Sequence, residues 1–420
     1  MFEQNKELMR AEILTIGNEV VSGLIQDSNS QFLSSRLNSA GVNVRRMTSV
    51  GDDPEDMVDA LNGALERVDL ILVTGGLGST HDDLTKQVLA QRFGHSLVMN
   101  DTVLRRLESI MASRGKAMTP GFRSQAEVPD KAEILHNAVG SAPGLLFQHD
   151  GKKVYALPGV PKEMRHLYEK YIHPELEANS SGRIAHRLLR TTGLSESELW
   201  PLVGGVEELE RWVSVASLPS YEGVKIRLSA SGKNREETLS KIEQAERWLV
   251  PKIEKYIFAR DDELMEEVIG RLLLKESKTL GLAESCTGGL IGHRLTQVPG
   301  SSAYFIQGAV VYSNEAKMRL LGVSEETLRH FGAVSRETAL EMAKGICERS
   351  GSDYGLAVTG ILGPGGGSEE KPVGLTFIAV ADSETSHCEE FRFHQDRKIN
   401  KERAAQAALN LLRLRLLRVL

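Results

Sequence analysis

Cysteine is scarce in this sequence of 420 residues. The three cysteines, Cys286, Cys347 and Cys388, are odd in number and far apart along the chain. This spacing predicts neither a disulfide framework nor a zinc knuckle, and it favours a reducing compartment. Cys347 falls on the same helical face as several apolar residues, so we expect it to lie in the core.

Long apolar runs and an excess of positive charge are also missing. No apolar run approaches the roughly 20 residues of a membrane-spanning helix, and the first residues lack the pattern of a secretory signal. The formal net charge is −6, from 51 basic and 57 acidic residues, which offers nucleic acid no broad attractive surface. We therefore expect a cytoplasmic protein that binds small molecules, with neither nucleic acid nor membrane as a partner.

The first part of the chain alternates strands and helices in a regular way. This order predicts a doubly wound parallel sheet with helices on both faces, which binds ligands beyond the carboxyl ends of its strands. The glycine-containing turns at residues 17–19 and 75–78 lie at such ends. The predicted strands and helices follow one another at residues 11–17, 29–40, 42–50, 54–68 and 69–74.

The rest of the chain predicts two further domains. Residues 224–230 alternate strictly between apolar and polar, and a helix over 236–249, closed by Pro251, completes a small α+β domain. A third, α/β domain is expected to open with a helix at 262–275. A final helix at 401–420 is expected to pack against its sheet or a second subunit. Its strands are predicted near residues 279–284, 303–312, 354–359 and 373–381.

The segment AESCTGG, at residues 283–289, places a small nucleophile between a buried strand and a helix. Ser285 lies at this turn, where glycines and the free N–H groups of a helix N-terminus favour an oxyanion or a phosphate. The alternative is that Ser285 or Thr287 only caps the helix. Cys286 is the chemical rival to Ser285, although nothing nearby in the sequence lowers its pKa.

Ser285 needs a base, and the histidines are poorly placed. His293 is eight residues further along the same predicted helix, about 12 Å along its axis. Lys317 begins the helix that follows the next strand, so adjacent strands would bring it to the same sheet edge. To act as a base near neutral pH it needs a lowered pKa, which burial would supply. The alternative is a solvated lysine on a helix face.

Several separated motifs, in order, resemble the CinA family. In the C-terminal half these are AESCTGG, then SNEAK at 313–317, then GPGGGSEEKPVG at 363–374. The N-terminal half resembles the family in the segments GNE at 17–19, GGLGSTHDDLT at 75–85, NAVGSAPG at 137–144 and LPGVPKEM at 157–164. The resemblance covers nearly the whole chain and implies three domains, at residues 1–178, 179–261 and 262–420.

For the C-terminal domain, the resemblance implies a nicotinamide-nucleotide amidase. Such an enzyme converts nicotinamide mononucleotide and water to nicotinic acid mononucleotide and ammonia, without a cofactor. The implied nucleophile and base are Ser285 and Lys317, and Tyr312 is expected to orient this pair or the substrate. The other residues expected to bind substrate, through backbone amides, the glycine loop or a guanidinium, are Thr287, Gly288, Gly289, Thr359, Gly360, Gly365, Gly366 and Arg397.

For the N-terminal domain, the resemblance implies a molybdopterin-binding-like (MoaB/Mog-like) fold. In some family members this domain is linked to metal-dependent cleavage of ADP-ribose. Asp82, Asp83 and Glu19 are then candidates for a divalent cation such as Mg²⁺. An equal alternative is that the two aspartates favour the start of the helix that they precede. The expected nucleotide site comprises Gly75, Gly76, Gly78, Thr80, Asn137, Pro158 and Gly159.

Four residues depart from the usual family pattern. Asn18 and Ser79 bring the N-terminal activity into question, while Leu362 and Lys401 bear on the amidase pocket. The middle domain resembles a KH-type fold but lacks the Gly-x-x-Gly loop that clamps RNA, so a structural spacer or a dimer element is expected. Family resemblance implies a homodimer. The competing hypothesis is a non-catalytic protein that binds a nucleotide or a pterin.

Overall fold

The computed structural model describes residues 9–80, 82–179, 184–232, 234–394 and 396–420. They form two compact units. The first comprises the described residues up to Ala185 together with Ser231–Leu239, and the second comprises His186–Ala230 with Ser240–Leu420. Within the described ranges, no helix combines the length and the apolar character that crossing a membrane requires.

The first unit contains a six-stranded mixed sheet and a small two-stranded one. The strands are β1 (Arg10–Ile16), β2 (Asn43–Val50), β3 (Leu70–Thr74), β4 (Leu97–Met99), β5 (Glu127–Pro129), β6 (Glu133–Leu135), β7 (Gly144–His149) and β8 (Lys152–Leu157). The large sheet has the order β2-β1-β3-β8-β7-β6. Its first four strands run parallel, as predicted, and β7 and β6 add an antiparallel edge.

Helices cover both faces of this sheet, which confirms the doubly wound fold. Leu14 and Val73 pack on one face with the apolar side of the third helix, and Ile13 and Leu72 pack on the other face with the second. This division follows from the alternation of side chains along a strand. The helices are α1 (Asn18–Val21), α2 (Ser28–Ser39), α3 (Pro54–Arg67), α4 (Thr85–Phe93), α5 (Asp101–Ser113), α6 (Pro120–Ser124), α7 (Pro161–Leu167) and α8 (His173–Asn179).

The middle of the chain forms a four-stranded sheet with two helices. The elements are β9 (Ile184–Thr191), α9 (Glu196–Val203), β10 (Ser214–Pro219), β11 (Val224–Ser231), α10 (Arg235–Ile253) and β12 (Ile257–Arg260). The sheet order is β10-β11-β9-β12, and the predicted alternation of buried residues along β11 is confirmed. The predicted end of α10 before Pro251 is wrong. The helix continues to Ile253, whose side chain is fully buried.

The C-terminal part is a five-stranded sheet between helices. The strands are β13 (Leu280–Glu284), β14 (Phe305–Val310), β15 (Tyr354–Gly360), β16 (Leu375–Ala381) and β17 (Ser386–Arg392). The helices are α11 (Met265–Glu276), α12 (Leu290–Thr296), α13 (Asn314–Leu321), α14 (Glu325–Phe331), α15 (Arg336–Ser350) and α16 (Arg397–Leu416). The sheet order is β14-β13-β15-β16-β17, with the first three strands parallel. The last two strands are antiparallel, and β17 was not predicted.

The predicted final helix packs against this sheet. Leu409 and Leu412 are fully buried, in one core cluster with the sheet residues Leu282 and Leu356. The helix starts at Arg397 rather than at residue 401, because the Asp396 side chain accepts hydrogen bonds from the first free N–H groups. As a result, its first turn lies beside the glycine-rich loop that follows β15. Cys347 is buried, as expected for a core residue.

Candidate active site

Ser285 and Lys317 meet at the carboxyl ends of the central parallel strands. The Lys317 side-chain nitrogen lies 3.1 Å from Ser285 Oγ and 2.9 Å from the carbonyl oxygen of Val311. Both side chains are buried, with Ser285 8% exposed and Lys317 1% exposed. The predicted proximity of these two residues is confirmed.

The sheet register explains why they meet. The last residue of β13, Glu284, pairs with Val310 on one side and Val358 on the other, so the three strands end at one level. Ser285 follows directly, and its N–H donates to the carbonyl of Val358. On the neighbouring side, Ser313 caps α13 by accepting from the N–H of residue 316, and this starts the helix that carries Lys317 over the nucleophile.

Lys317 sits in surroundings that favour its neutral amine. Its pKa is lowered because burial disfavours the charged form. Among the described residues, its hydrogen-bond partners are a hydroxyl and a carbonyl, and no carboxylate pairs with it. A neutral amine can accept the hydroxyl proton of Ser285. The alternative of a solvated lysine on a helix face is therefore wrong.

Cys286 is held as a neutral thiol. Its pKa is raised to about 12, mainly by burial and also by the charge of Glu284, while Lys317 opposes the rise. A thiol with that pKa supplies almost no thiolate at neutral pH. The Ser285 hydroxyl, which directly contacts the Lys317 amine with its lowered pKa, is the better nucleophile of this turn.

The N-terminus of α12 is already occupied by a side chain of the protein. The Glu284 carboxylate accepts hydrogen bonds from the N–H groups of Gly289, Ile291 and Gly292 at 3.0, 3.1 and 2.9 Å. The Glu284 side chain is buried. The partial positive charge of this helix N-terminus is therefore already matched by a carboxylate, and the Gly289 amide is not available to a substrate anion.

The hydrogen bonds of the turn restrict where an oxyanion can be held. The N–H of Gly288 donates to the Ser285 carbonyl, and that of Gly289 donates to Glu284. In the described part of the chain, the N–H groups of Cys286 and Thr287 have no oxygen acceptor. The Thr287 hydroxyl is buried and also lacks a partner there. Thr287 thus fits its predicted role better than Gly288 or Gly289, because their amides donate to oxygens while the Thr287 amide contacts only the weakly accepting Cys286 sulfur.

Tyr312 and Arg397 contact each other rather than the Ser285–Lys317 pair. The Arg397 guanidinium donates to Tyr312 Oη at 3.1 Å and to the Gly363 carbonyl at 2.6 Å. Tyr312 is 64% exposed, so its ring is free to contact a ligand. The structure therefore places Tyr312 at the mouth of the site, beside the glycine loop, and not within the pair that moves the proton.

A cavity of about 610 Å³ lies between the glycine loop and the first turns of α16. Arg397 and Lys401 line it, together with Leu362. The Lys401 side-chain nitrogen also lies close to Gly288, 3.7 Å from the position where a Cβ would stand. Lys401 thus lies between the cavity and the 285–289 turn that carries Ser285. Leu362 is 2% exposed and packs in the core, so it does not block the cavity mouth.

Thr359 and the glycine loop have structural partners. The Thr359 hydroxyl donates to the carbonyl of Ala333 at 2.7 Å, so it does not contact the Ser285–Lys317 pair. Gly360 lies against Thr376, where a side chain would collide with the hydroxyl. Gly365 and Gly366 are exposed. Lys371, a residue that sequence reasoning missed, ties this loop to the end of α14 by donating to two carbonyls.

In the first unit, the predicted glycines allow the close approach of backbone segments. A side chain at Gly75 would collide with the carbonyl of Ile16, and a Cβ at Gly159 would lie 3.3 Å from Gly75. Asn29, which was not predicted, connects this region: its Nδ2 donates to Gly159 O and to Thr74 Oγ1. Pro158 accepts from the hydroxyl of Thr74 through its carbonyl.

Two other predicted residues of this region are engaged in local turns. Thr80 donates to Asp83 through its N–H and its hydroxyl. Asn137 binds its own loop, because its Oδ1 accepts from two N–H groups while its Nδ2 donates to Ala142 O and Glu163. Burial raises the pKa of Glu163.

The predicted metal ligands are not arranged as a metal site in the described residues. Asp83 uses both carboxylate oxygens on the turn before it, since Oδ1 accepts from the N–H of Gly78 and Oδ2 from Thr80. Glu19 lies against Gly17, and Asp82 is exposed. His81 lies outside the described residues; among those described, no three His, Cys, Asp or Glu side chains come together as a cluster that could hold a metal. Asp83 is therefore held by its own turn, and a divalent-cation site at these carboxylates stays a prediction.

Of the departures from the family pattern, Asn18 has a clear structural role. Its backbone N–H donates to the Asp52 carboxylate, and its side-chain oxygen accepts from the Asp52 N–H, at 2.9 and 3.2 Å. This reciprocal pair joins the ends of β1 and β2. Nothing in the structure explains Ser79.

Three family models match successive parts of the chain. Residues 262–416 match "CinA C-terminal domain", residues 12–178 match "Probable molybdopterin binding domain", and residues 186–259 match "Damage-inducible protein CinA KH domain". These matches confirm the predicted fold classes of the three parts.

Proteins of similar length also match over almost all of the chain. A CinA-like protein of Chloroherpeton thalassium is 43% identical and the match covers 96% of this chain and 99% of that protein. A CinA-like protein of Cytophaga hutchinsonii is 40% identical, with 96% and 97% covered. The crystal structure of CinA from Thermoplasma acidophilum is 35% identical and covers 40% of this chain and 98% of its own, with a TM-score of 0.38. The chain therefore belongs to the CinA family.

Proposed function

We propose that the C-terminal part of this protein hydrolyses the carboxamide of nicotinamide mononucleotide, giving nicotinic acid mononucleotide and ammonia. The observation that carries this proposal is the contact between the buried Lys317 amine and the Ser285 hydroxyl, at 3.1 Å. A buried amine without a carboxylate partner is suited to take the proton of a hydroxyl nucleophile.

The reaction proceeds in two halves. Ser285 Oγ attacks the carboxamide carbon while its proton passes to Lys317, and the carbonyl oxygen becomes an oxyanion. The C–N bond then breaks, and Lys317 returns the proton to the leaving nitrogen, which departs as ammonia. In the second half, water loses a proton to Lys317 and attacks the ester carbon. The ester bond to Ser285 breaks, and Ser285 recovers its proton.

The N–H groups of Cys286 and Thr287 are the donors proposed for the oxyanion, since they have no oxygen acceptor in the described residues. Donors fixed before the reaction stabilise charge that develops in the transition state. Their position in the same turn as Ser285 supports this role.

The cations that line the cavity support a phosphate-bearing substrate. Arg397 uses two of its N–H groups on Gly363 and Tyr312, and the guanidinium has five. Lys401 has no acidic partner among the described residues and lies between the cavity and Gly288. We therefore propose that Arg397 and Lys401 hold the phosphate while the exposed ring of Tyr312 contacts the substrate near the cavity mouth.

The test is to incubate the purified protein with nicotinamide mononucleotide and measure ammonia, with Ser285→Ala as the inactive variant. Release of ammonia by the wild-type protein but not by this variant supports the proposal. The absence of ammonia from both would favour the competing hypothesis, a protein that binds a nucleotide or a pterin without catalysis. Metal-dependent cleavage of ADP-ribose and a homodimer stay predictions from family resemblance, and a cytoplasmic location stays a prediction from the composition of the sequence.

A further inference from the structure

Glu284 is a buried carboxylate one residue before the nucleophile, and sequence reasoning assigned it no role. Its side-chain oxygens accept from three backbone N–H groups at the start of α12. Glu284 is 2% exposed and makes no ion pair with Lys or Arg among the described residues. Burying a carboxylate is costly unless hydrogen bonds compensate, and three charge-assisted bonds provide that compensation.

The backbone of Glu284 is part of the same arrangement. Its carbonyl accepts from the Val311 N–H at 2.8 Å, and the Val311 carbonyl accepts from Lys317 at 2.9 Å. Lys317 also contacts Ser285, the residue that follows Glu284. The four residues thus form a closed ring of covalent and hydrogen bonds. The Glu284 side chain fixes one side of this ring to the first turn of α12.

This arrangement decides which N–H groups of the turn lack an oxygen acceptor. The carboxylate occupies those of Gly289, Ile291 and Gly292. The groups without an oxygen acceptor in the described region are those of Cys286 and Thr287, beside the nucleophile. A substrate oxyanion at the helix N-terminus would also meet the negative charge of Glu284.

Building on the proposed amidase function, we propose that Glu284 is a positioning residue. It holds the 285–289 turn in the form that presents the Cys286 and Thr287 amides to the reacting carbonyl and keeps Ser285 against Lys317. Glu284 itself does not touch the substrate. The expected signature is a loss of transition-state stabilisation with little change in substrate binding, because the proposed phosphate ligands lie on α16.

The variant Glu284→Gln tests this inference. Glutamine keeps the size of the side chain, but its nitrogen cannot accept a hydrogen bond. The N–H groups that faced one of the two carboxylate oxygens therefore lose their acceptor. The matched control is Ser324→Ala, which removes the cap of α14, where Ser324 Oγ accepts from the Thr327 N–H at 2.9 Å. Both variants weaken a helix start, but only Glu284 borders the nucleophile.

The measurement is the rate at which phenylmethylsulfonyl fluoride modifies Ser285, followed by intact-protein mass spectrometry. In this reaction the Ser285 Oγ–sulfur bond forms and the sulfur–fluorine bond breaks. The hydroxyl proton passes to Lys317, and fluoride leaves. A developing sulfonyl oxyanion needs the same amide donors as a carboxamide. Rates are compared per folded molecule, with folding checked by circular dichroism and thermal unfolding.

We expect Glu284→Gln to be modified about tenfold to hundredfold more slowly than the wild type, less than the roughly 10²- to 10³-fold cost of removing an oxyanion donor, because the donors are displaced and not removed. Ser324→Ala should react at the wild-type rate. With nicotinamide mononucleotide, kcat should fall by a similar factor while KM changes by less than about threefold. Equal modification rates for folded Glu284→Gln and wild type would overturn the inference.

The two proposals fail in different ways. If the wild-type protein is modified at Ser285 but releases no ammonia, the proposed substrate is wrong and the comparison of modification rates still decides the role of Glu284. If the wild type is not modified at all, the activated serine is wrong and the inference falls with it. If Glu284→Gln does not fold, Glu284→Asp replaces it. Its shorter side chain keeps the charge but cannot reach all three N–H groups, so an intermediate modification rate is expected.

Discussion

The side-chain nitrogen of Lys317 lies 3.1 Å from the hydroxyl oxygen of Ser285, although the two residues are 32 positions apart in the chain. Two adjacent parallel strands that end at the same level bring them together. The carbonyl of Val311 holds the other side of the amine, at 2.9 Å. The amine is therefore oriented by the backbone and not by a carboxylate. This orientation leaves it free to exchange protons with the nucleophile.

Replacing Lys317 by methionine should abolish amidase activity without unfolding the protein. Loss of a general base typically costs about 10² to 10⁴ in kcat. Methionine fills a similar volume and removes a buried amine, which favours stability, but it leaves the Val311 carbonyl without its donor, so the thermal unfolding midpoint should change little. Ammonia release and differential scanning calorimetry check the two outcomes. A folded Lys317→Met protein with most of the wild-type turnover would show that another group is the base.

The activity should depend on the neutral form of Lys317, so kcat/KM should fall as the pH decreases. Burial lowers the Lys317 pKa, which means that the folded protein releases this proton at a lower pH than the unfolded chain. Between the lowered and the ordinary pKa the unfolded chain binds more protons, so the free energy of unfolding should rise with pH across that window. Below the lowered pKa, Lys317 is protonated in both the folded and the unfolded state, so its contribution to the free energy of unfolding no longer changes with pH.

The measurement is a profile of kcat/KM against pH, with urea unfolding at several pH values. On the acid side of the profile, kcat/KM should decrease as expected for the binding of a single proton. The variant Cys286→Ala serves as control, because the Cys286 thiol stays protonated across the accessible range. An activity that increases steadily toward acid pH would contradict a neutral amine as the base.

Removing the cations of the cavity should weaken binding of the phosphate. For Arg397→Gln and Lys401→Gln we expect KM for nicotinamide mononucleotide to rise by about tenfold to a hundredfold, the scale of one charge-assisted hydrogen bond. Nicotinamide riboside, which lacks the phosphate, is the matched control, and its kcat/KM should change much less. An equal loss with both substrates would indicate that these residues act on the structure of the site instead.

The first unit should show no chelator-sensitive cleavage of ADP-ribose that depends on Asp83. Its carboxylate holds the Gly78 and Thr80 amides, so Asp83→Asn should lower the thermal unfolding midpoint. The assay is ADP-ribose cleavage with Mg²⁺ and with EDTA, followed by measurement of phosphate-ester products. Cleavage that disappears with EDTA and in a folded Asp83→Asn variant would show that this carboxylate does bind a metal.

The strand order near the site was predictable because parallel strands place their carboxyl ends together. Residues 280–284 and 305–310 are short strands, each followed by a polar turn, and this pattern indicated that Lys317 could reach the sheet edge of Ser285, while a solvated lysine on a helix face stayed open. The same logic predicted the doubly wound first sheet. The periodicity of apolar residues predicts where strands and helices lie, because each of them buries one face or both.

The hydrogen-bond partners inside the site were not predictable from the local sequence. In the sequence, Glu284 is only the predicted end of a strand. The three-dimensional turn is needed to show that its carboxylate accepts from three N–H groups later in the chain. Tyr312 contacts Arg397 because α16 returns to this edge after 85 residues. The continuation of α10 past Pro251 has a similar cause, since burial of Ile253 is a tertiary effect that local rules do not include.

The central claim is that Ser285 is the nucleophile of an amidase, and the most direct measurement is ammonia release from nicotinamide mononucleotide by three proteins side by side. The wild type and Cys286→Ala should both release ammonia at comparable rates, because the buried Cys286 thiol, whose pKa is about 12, takes no part. Ser285→Ala should release none above the uncatalysed rate. An active Ser285→Ala protein together with an inactive Cys286→Ala protein would contradict the account.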